Sequence, residues 1–532
     1  MRAAPAMAVA ALAALLIQAC KVGPNYQQPH EPLPPRYSGA AGGAGPADSR
    51  PAAAAPAAGG PAAQAPAAEA PRFSGEQEPP TFWWREFHDA ELDRLIDQAT
   101  AGNLNLKVAY LRIVEARIQV QSARAQGLPS LNASASYNRE QLGLAGILKS
   151  KGIGNSGPTG SAAAQQLIAA LEQPVNLYQL GFDASWEIDL FGKVRREVEA
   201  ATAQGAGALE SRNDMLVSLE AEVAQTYCQL RAAQVSKQVT LELIGAQREI
   251  ADLTQNRHEH GLAGEPDVDA ARAELTSLEA ELPAYEQMIV SSKHALAVLT
   301  GRDPEALDAE FGAPGTLPAI PQQIPVGVPS TLARRRPDIR NAETALHAAT
   351  AEIGVSVASM FPDVSLAGTY GLRNVGTRYL FDWSSHFYTF GPTVSVPIFH
   401  GGALVANVRL SRAQAAEAAL SYRQTVLAAL QEVEDGLSNL TQDAARVAAL
   451  KDTVGADQRA VDVQLNAYRH GVISYVTVLT VELQAAQARE QLVQAQAAES
   501  TDLVKLYKAL GGGWQDAPDR ASPADSANSR LP

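Results

Sequence analysis

The chain says nearly the same thing twice, and each telling joins two incompatible periodicities. Leu128-Pro129-Ser130-Leu131-Asn132-Ala133-Ser134-Ala135-Ser136-Tyr137 recurs in constant register as Phe361-Pro362-Asp363-Val364-Ser365-Leu366-Ala367-Gly368-Thr369-Tyr370. Asn256-Arg257-His258-Glu259-His260-Gly261 recurs as Asn466-Ala467-Tyr468-Arg469-His470-Gly471. Each copy reads helix, strand, strand, long helix, helix. A unit of roughly 200 residues is too long for a solenoid repeat. The pattern therefore predicts two structurally similar halves side by side.

A helix from about Asp89 to Gln126 is stopped by Gly127 and Pro129. The period then changes from 3.6 to 2, with Leu131, Ala133, Ala135 and Tyr137 alternating with Asn132, Ser134 and Ser136. The alternation returns from Tyr178 to Leu190, from Val364 to Leu372 and from Tyr388 to Ile398. It predicts strands at about 128–137, 177–190, 363–372 and 387–398. Pro392 interrupts the last of them and predicts a bulge or a non-bonded position, because proline cannot donate to a ladder. Each strand pair leads into a long helix, about Lys193 to His260 and Ala403 to His470, on the order of 100 Å each at 1.5 Å per residue. Val426, Leu430, Val433, Leu437, Leu440, Ala444 and Val447 step by fours and threes, as a coiled-coil seam does. Leu209, Leu216, Val223 and Leu230 keep a seven-residue spacing in the first half. Return helices follow Gly261 and Gly471, about Asp267 to Leu299 and Tyr475 to Leu510.

The first residues read as a processing signal. Arg2 precedes an apolar run, Ala6 to Ile17, which is too short to span a bilayer. It ends in Leu16-Ile17-Gln18-Ala19-Cys20, which resembles a lipoprotein cleavage box. By that resemblance residues 1–19 are removed and Cys20 carries the lipid; the plainer alternative is an ordinary secretory signal. Lys21 in place of aspartate favours the outer over the inner membrane. Residues 20–80 are expected to form a lipidated N-terminus and a flexible tether, almost all Ala, Pro and Gly from about 39 to 71, with order starting near Thr81-Phe82-Trp83-Trp84. Cys228 is the one other cysteine and is expected to be a small buried apolar residue on a helix. A net charge of −14 argues against nucleic acid. Aromatics at 6% with abundant alanine suit closely packed helices better than a large enzyme core.

A sheet with one apolar face can pack on soluble protein or face lipid. Strand length, small hydroxylic polar faces and aromatics near both strand ends favour lipid. Those aromatics are Tyr137, Tyr178, Tyr370 and Tyr388 toward the loops, and Trp186, Phe191, Phe361 and Phe399 toward the helices. Four strands cannot close a barrel, and open edges are forbidden in lipid. The chain must then oligomerise: a dimer gives eight strands and a plugged lumen, a trimer twelve strands and an open pore. All helices leave the sheet on one side, and the loops at about 138–177 and 373–387 face the other.

Several stretches together resemble the TolC-like outer membrane factors, in their lipoprotein branch. These are Lys21-Val22-Gly23-Pro24-Asn25-Tyr26, Trp186-Glu187-Ile188-Asp189-Leu190-Phe191-Gly192, Arg335-Arg336-Pro337-Asp338-Ile339-Arg340 and Val396-Pro397-Ile398-Phe399. The similarity covers about Thr81 to Trp514. It implies an α+β membrane protein: a homotrimer with a twelve-stranded transmembrane β-barrel, four strands per chain, continued by a long periplasmic α-helical coiled-coil barrel. It implies a repeat at 81–300, a linker at 301–336, a second repeat at 337–514 and a disordered tail at 515–532. The implied role is the exit duct of a tripartite efflux system in the bacterial outer membrane. The implied partners are an inner-membrane RND transporter and a periplasmic adaptor protein. No cofactor is implied beyond the covalent lipid on Cys20. The family's periplasmic gate falls on Tyr468, Val476 and Thr480. Many relatives have aspartate where Thr480 stands, so a constriction of apolar and hydroxyl groups is expected here.

Asp183, Glu187 and Asp189 alternate along one strand face. They can be read as paired catalytic carboxylates, as lumen-facing acids that favour cations, or as a solvated face. His258 and His260 lie two residues apart on a helix and do not share a face, so they make a poor metal site. Arg335 and Arg336 are expected to brace a helix start, with acids of a neighbouring protomer as partners. No nucleophile elbow, phosphate loop or paired-histidine zinc motif appears, and no enzyme is expected. The competing reading is a lipid-anchored periplasmic coiled-coil scaffold without a pore.

Overall fold

The computed structural model describes residues 21–29, 32–39, 72–75, 77–141, 173–313 and 315–515. Cys20, the signal segment, most of the Ala/Pro/Gly-rich stretch and the tail from 516 lie outside them. The elements in chain order are β1 (Arg72–Ser74), α1 (Ala90–Gly102), α2 (Leu104–Gln126), β2 (Ser130–Glu140) and β3 (Val175–Ile188). Next come α3 (Lys193–Glu259), α4 (Glu265–Leu299), β4 (Gln323–Pro325), α5 (Pro329–Arg335) and α6 (Pro337–Ala358). The chain closes with β5 (Asp363–Asn374), β6 (His386–Ser395), α7 (Ala403–Arg469) and α8 (Tyr475–Ala509). Both long helices have 67 residues and both return helices have 35. No helix among the described residues is long and apolar enough to cross a membrane.

Two compact units emerge. One holds residues 1–27, 115–205 and 345–418, and the other holds 28–114, 206–344 and 419–532. The first is built on a four-stranded antiparallel sheet, ordered β2-β3-β5-β6, so β2 and β6 are open edges. The register carries the alternation across all four strands in one phase. Ala133 pairs with Phe182, Phe182 with Tyr370 and Tyr370 with Tyr388. On the opposite face Asn132 pairs with Asp183, Asp183 with Thr369 and Thr369 with Thr389. Through the middle of the sheet one face is thus mainly apolar and the other mainly polar, with Asn374 and His386 on the apolar face and Phe387 on the polar face near the loop end. The apolar face is not covered within the chain: Leu131 is 70% exposed and Phe390 72%. Tyr137 pairs with Tyr178, ring centroids 5.0 Å apart, four residues along the strands from the row of Tyr370 and Tyr388. Phe191 stacks on Phe361 at 4.8 Å near the helix end.

The ladder between β5 and β6 runs through Pro392, opposite Leu366, without a bulge. Half the positions of an antiparallel ladder turn both backbone groups away from the neighbour. β6 is an edge strand, where that choice leaves no hydrogen bond of this chain broken.

The second unit packs helices around a buried aromatic knot. Trp83, Trp84, Phe87 and Tyr507 lie with Leu92, Leu95 and Ile96 against the α7 seam. Val426, Val433, Leu437, Leu440 and Val447 of that seam are buried, as the spacing predicts. Leu216, Val223 and Leu230 of α3 are buried too, but Leu209 is 44% exposed and falls outside the seam. The helix predicted over 89–126 is broken at Asn103, whose ψ of 128° leaves helical geometry. Its side chain donates to Leu299 O at 2.9 Å and accepts from Leu106 N at 3.1 Å, capping α2. A Cβ on Gly102 would collide with the Thr300 carbonyl, so the close approach there requires glycine. At both hairpin tips the glycine is left-handed, with φ +73° at Gly261 and +72° at Gly471. Leu262 N donates to Arg257 O and Val472 N to Ala467 O, the six-to-one bond of a Schellman cap.

Order begins well before Thr81. Residues 21–29 and 32–39 are held by specific contacts, and β1 pairs in parallel with β4. Composition misses this because a few residues do the holding: backbone and polar contacts join a handful of apolar ones, with Tyr37 buried in the helical core and Leu33 and Phe73 packed against it.

Candidate functional site

Polar groups at the strand–helix junction do most of the positioning in the first unit. β3 ends at Ile188, and Asp189, expected on the strand's polar face, lies beyond it. Its carboxylate accepts from Arg195 N at 3.0 Å and Arg195 Nε at 3.1 Å, anchoring the first turn of α3. Glu187 lies 3.5 Å from Lys193 Nζ, and Asp183 accepts from the Ser134 hydroxyl at 2.9 Å. The three acids therefore do not form one bare acidic ladder. Asp183 and Glu187 keep the strand's polar face, and Asp189 is a helix anchor with a cation of its own. No paired catalytic carboxylate arises from them.

Arg196, one residue past that anchor, was not singled out by sequence reasoning. It is fully buried, at 0% exposure. Its guanidinium donates to Val22 O and Gly23 O at 3.2 Å, to Asn25 Oδ1 at 2.8 Å and to Glu199 Oε2 at 2.9 Å. Lys21 also pairs with Glu199, and Tyr26 stacks on His347 at 4.3 Å. Hydrogen bonds from Lys21, Arg196 and His347 outweigh partial burial and hold the Glu199 carboxyl below its usual range. Gly354 provides the space: a Cβ there would overlap the Arg196 side chain. The segment that follows Cys20 is thus clamped to α3 and α6. The Val22-Gly23-Pro24-Asn25 stretch and a pair of arginines early in α3 were the available signal, but their meeting is not local.

In the second unit Arg335 and Arg336 find partners within their own chain at the start of α6. Arg336 donates to both Asp338 oxygens, at 3.0 and 2.7 Å, to Glu432 at 2.6 Å and to Ala509 O at 3.0 Å. Arg335 reaches Glu78 at 3.1 Å and Pro79 O at 2.9 Å. Asp338 is local, but Glu432 and Glu78 lie far away in sequence, on α7 and before α1, where no local pattern could place them.

At the hairpin tips, Tyr468 stacks against Tyr475 with centroids 5.0 Å apart. Val476 is half-buried, and the exposed Thr480 hydroxyl donates back to Val476 O at 2.9 Å. Tyr475 donates to Glu249 Oε2 at 2.7 Å, which with some burial pushes its phenol up to about 12. Burial, then the Glu249 charge, raises the Glu482 carboxyl. Tyr468 meets Tyr475 at the start of α8, and Val476 and Thr480 follow on the first turns of that helix. The nearest acids are Glu249, engaged by Tyr475, and Glu482. His258 binds Ala263 O at 3.0 Å and His260 binds Asn256 O at 2.8 Å, each through Nδ1, and no metal-ligating cluster occurs among the described residues. Cys228 is buried, as expected, and burial raises its thiol to about 12.

A four-stranded sheet with one mainly apolar, uncovered face and two open edges, joined to paired long and return helices, defines a channel-type outer membrane protein. The outer membrane efflux protein family model matches residues 95–302 and 328–512, and the chain belongs to that family. It is 29% identical over 514 residues to the probable efflux pump outer membrane protein TtgC of Pseudomonas putida, covering 96% of each chain. It is 30% identical to the outer membrane protein OprJ of Pseudomonas aeruginosa, covering 96% of this chain and 97% of that one. The outer-membrane channel OprN superposes with a TM-score of 0.76 at 30% identity, over 93% of this chain and 100% of that one. The open MtrE channel of Neisseria gonorrhoeae gives a TM-score of 0.71 at 26% identity, over 93% of this chain and 99% of that one. This chain is an outer membrane efflux protein.

Proposed function

We propose that three copies of this chain close their sheets into one twelve-stranded barrel and form the passive exit duct of a tripartite efflux pump. The observation that carries the proposal is the common phase of four strands: Leu131, Ala133 and Ala135 of β2 share one face with Phe182, Leu366, Tyr370 and Phe390 of the other strands. Such a sheet is stable in lipid only if β2 and β6 find partners, and one copy has none to offer. Pairing β6 of one copy with β2 of the next closes the ring without a free edge. Pro392 then costs no more than a missing donor at one seam position. Leu104, Val108, Leu111 and Ile118 form an exposed stripe on α2, and Leu420 and Leu427 another on α7. Both have coiled-coil spacing and suit packing of helices between copies in a periplasmic α-helical barrel. The matching helix lengths support two repeats, about 81–300 and 337–514.

The duct catalyses nothing and draws no energy. Lipid on Cys20 anchors the clamped N-terminal segment in the outer membrane. Asp183 and Glu187 line the wet face of the β-channel. Tyr468, Val476 and Thr480 form the periplasmic constriction, which opens when the helix tips spread. The relatives named as parts of efflux pumps support partnership with an inner-membrane RND transporter and a periplasmic adaptor. In this reading the cargo is drugs or other small molecules. Planar-bilayer recording of the purified, lipidated protein tests the reading. Discrete conductance from a trimer is expected. A stable monomer that never conducts would instead favour the pore-less scaffold.

A further inference from the structure

The polar face of the sheet carries one feature that the acids alone do not explain. Among the described strand residues, Glu140, Asp183, Glu187 and Asp363 are its acids, and Arg373 is its one lysine or arginine. Arg373 is next to last in β5, at the loop end of the sheet. It is not a loose surface chain. Its Nε and Nη2 donate to Gln179 Oε1 at 3.1 and 2.8 Å, directly across the ladder. Its guanidinium carbon lies 4.4 Å from the Phe387 ring centroid. Phe387 is the one aromatic on the polar face among the described strand residues, and a guanidinium lying over an aromatic face is an attractive cation–π arrangement. Gln179 and Phe387 fix the group in place and leave Nη1 with no hydrogen bond to the described chain.

We propose that Arg373 is a selectivity-determining residue, which makes the outer mouth of the duct attract anionic small molecules and retard cationic ones. This rests on the reading that the polar face lines a water-filled lumen. In a closed ring of three copies the residue becomes a band of three fixed positive charges, the arrangement that anion-selective pores use. Asp183 lies four residues further along the register, about 13 Å away at ~3.3 Å per residue. That exceeds the Debye length of about 8 Å at physiological salt. The acidic and basic bands therefore act as two successive filters and do not cancel. Gly181 and Gly371 pair on the row between them, so neither β3 nor β5 places a side chain between the two groups. A solute leaving the cell meets Asp363, Glu187 and Asp183 first, then the arginine, and then Glu140 four residues further along β2 toward the loop. An anionic carboxylate, sulfate or phosphate group can take a hydrogen bond from the open Nη1 edge as it passes.

The test is the reversal potential of the full-length lipidated protein in planar bilayers under a potassium chloride gradient. Arg373→Gln is expected to raise the cation-to-anion permeability ratio about twofold or more, because each copy loses the one lysine or arginine on the polar face of its described strands. Asp183→Asn should move the ratio the other way. Arg373→Lys keeps the charge and should stay close to the unmodified protein. If Arg373→Gln leaves the ratio unchanged while Asp183→Asn moves it, the role of Arg373 is overturned and the pore stands. The role is equally overturned if Arg373→Lys behaves like Arg373→Gln. A protein that carries no current at all would instead sink the pore on which the proposal rests.

Discussion

Replacing Arg196 with alanine should release the N-terminal segment without unfolding the helices. Three of the four hydrogen bonds of this buried guanidinium hold residues 22–25, at 3.2, 3.2 and 2.8 Å. Bonds to a charged group are worth about 1.5–3 kcal/mol each. Two of these sit at the long end of the normal range, so the low figure applies, and together they supply about 4 kcal/mol. At 1.4 kcal/mol per factor of ten, the opening equilibrium of the segment should shift by about 10²–10³. Hydrogen exchange reads this directly, because Val22 N donates to Phe191 O at 3.2 Å. Exchange at Val22 should accelerate by that factor, while amides around Val433 and Leu437, buried in the other unit, keep their protection. Arg196→Lys retains the charge but loses the fork, so it should fall between the two. If Val22 exchanges at the same rate in Arg196→Ala, the clamp is not what holds the segment, and the energetic argument fails.

Two further outcomes follow from burial. Glu220 is buried against Gly513, where any Cβ would collide with its carboxylate, and desolvation raises its carboxyl well above the usual range. A raised acid keeps its proton in the folded state after the unfolded chain has lost it, so stability falls as pH rises from the ordinary carboxyl range toward the folded value. Glu220→Gln should therefore raise the unfolding temperature near pH 7, leave it unchanged near pH 4, and flatten its pH profile. Parallel profiles for the two proteins would refute this. Cys228, with its thiol pushed up to about 12, should resist maleimide at pH 8 in the native protein and react only after denaturation. Prompt labelling of the folded protein would show that the helix face is open.

How much of the molecule could be read from the chain follows the range of the interaction concerned. Strand alternation and the α7 seam depend on neighbours a few residues apart, so their faces were legible. The helix ends at Gly261 and Gly471 were legible for the same reason: a left-handed cap demands glycine. The break at Asn103 was not, because it depends on the carbonyl of Leu299 and on the approach of Thr300 to Gly102. Asp189 read as a face residue by parity, but Arg195 drew it out of the strand. Its candidate partners were visible, and only the turn at Gly192, φ +83°, decides which one it meets.

The sequence alone determined the four long strands, the two long helices with their return helices, and the requirement that two-faced strands and unsealed edges find a lipid and a partner. Periodicity is a local property, and it survives whatever the rest of the chain does. Tertiary structure decided the common phase of the four strands, the clamp on residues 22–25, and the own-chain partners of Arg335 and Arg336. It also decided the pinning of Arg373 by Gln179 and Phe387. Arg196 meets Val22 across 174 positions and Arg373 meets Gln179 across 194. Such contacts are set by which helices and strands come together, and no short-range rule of spacing contains that information.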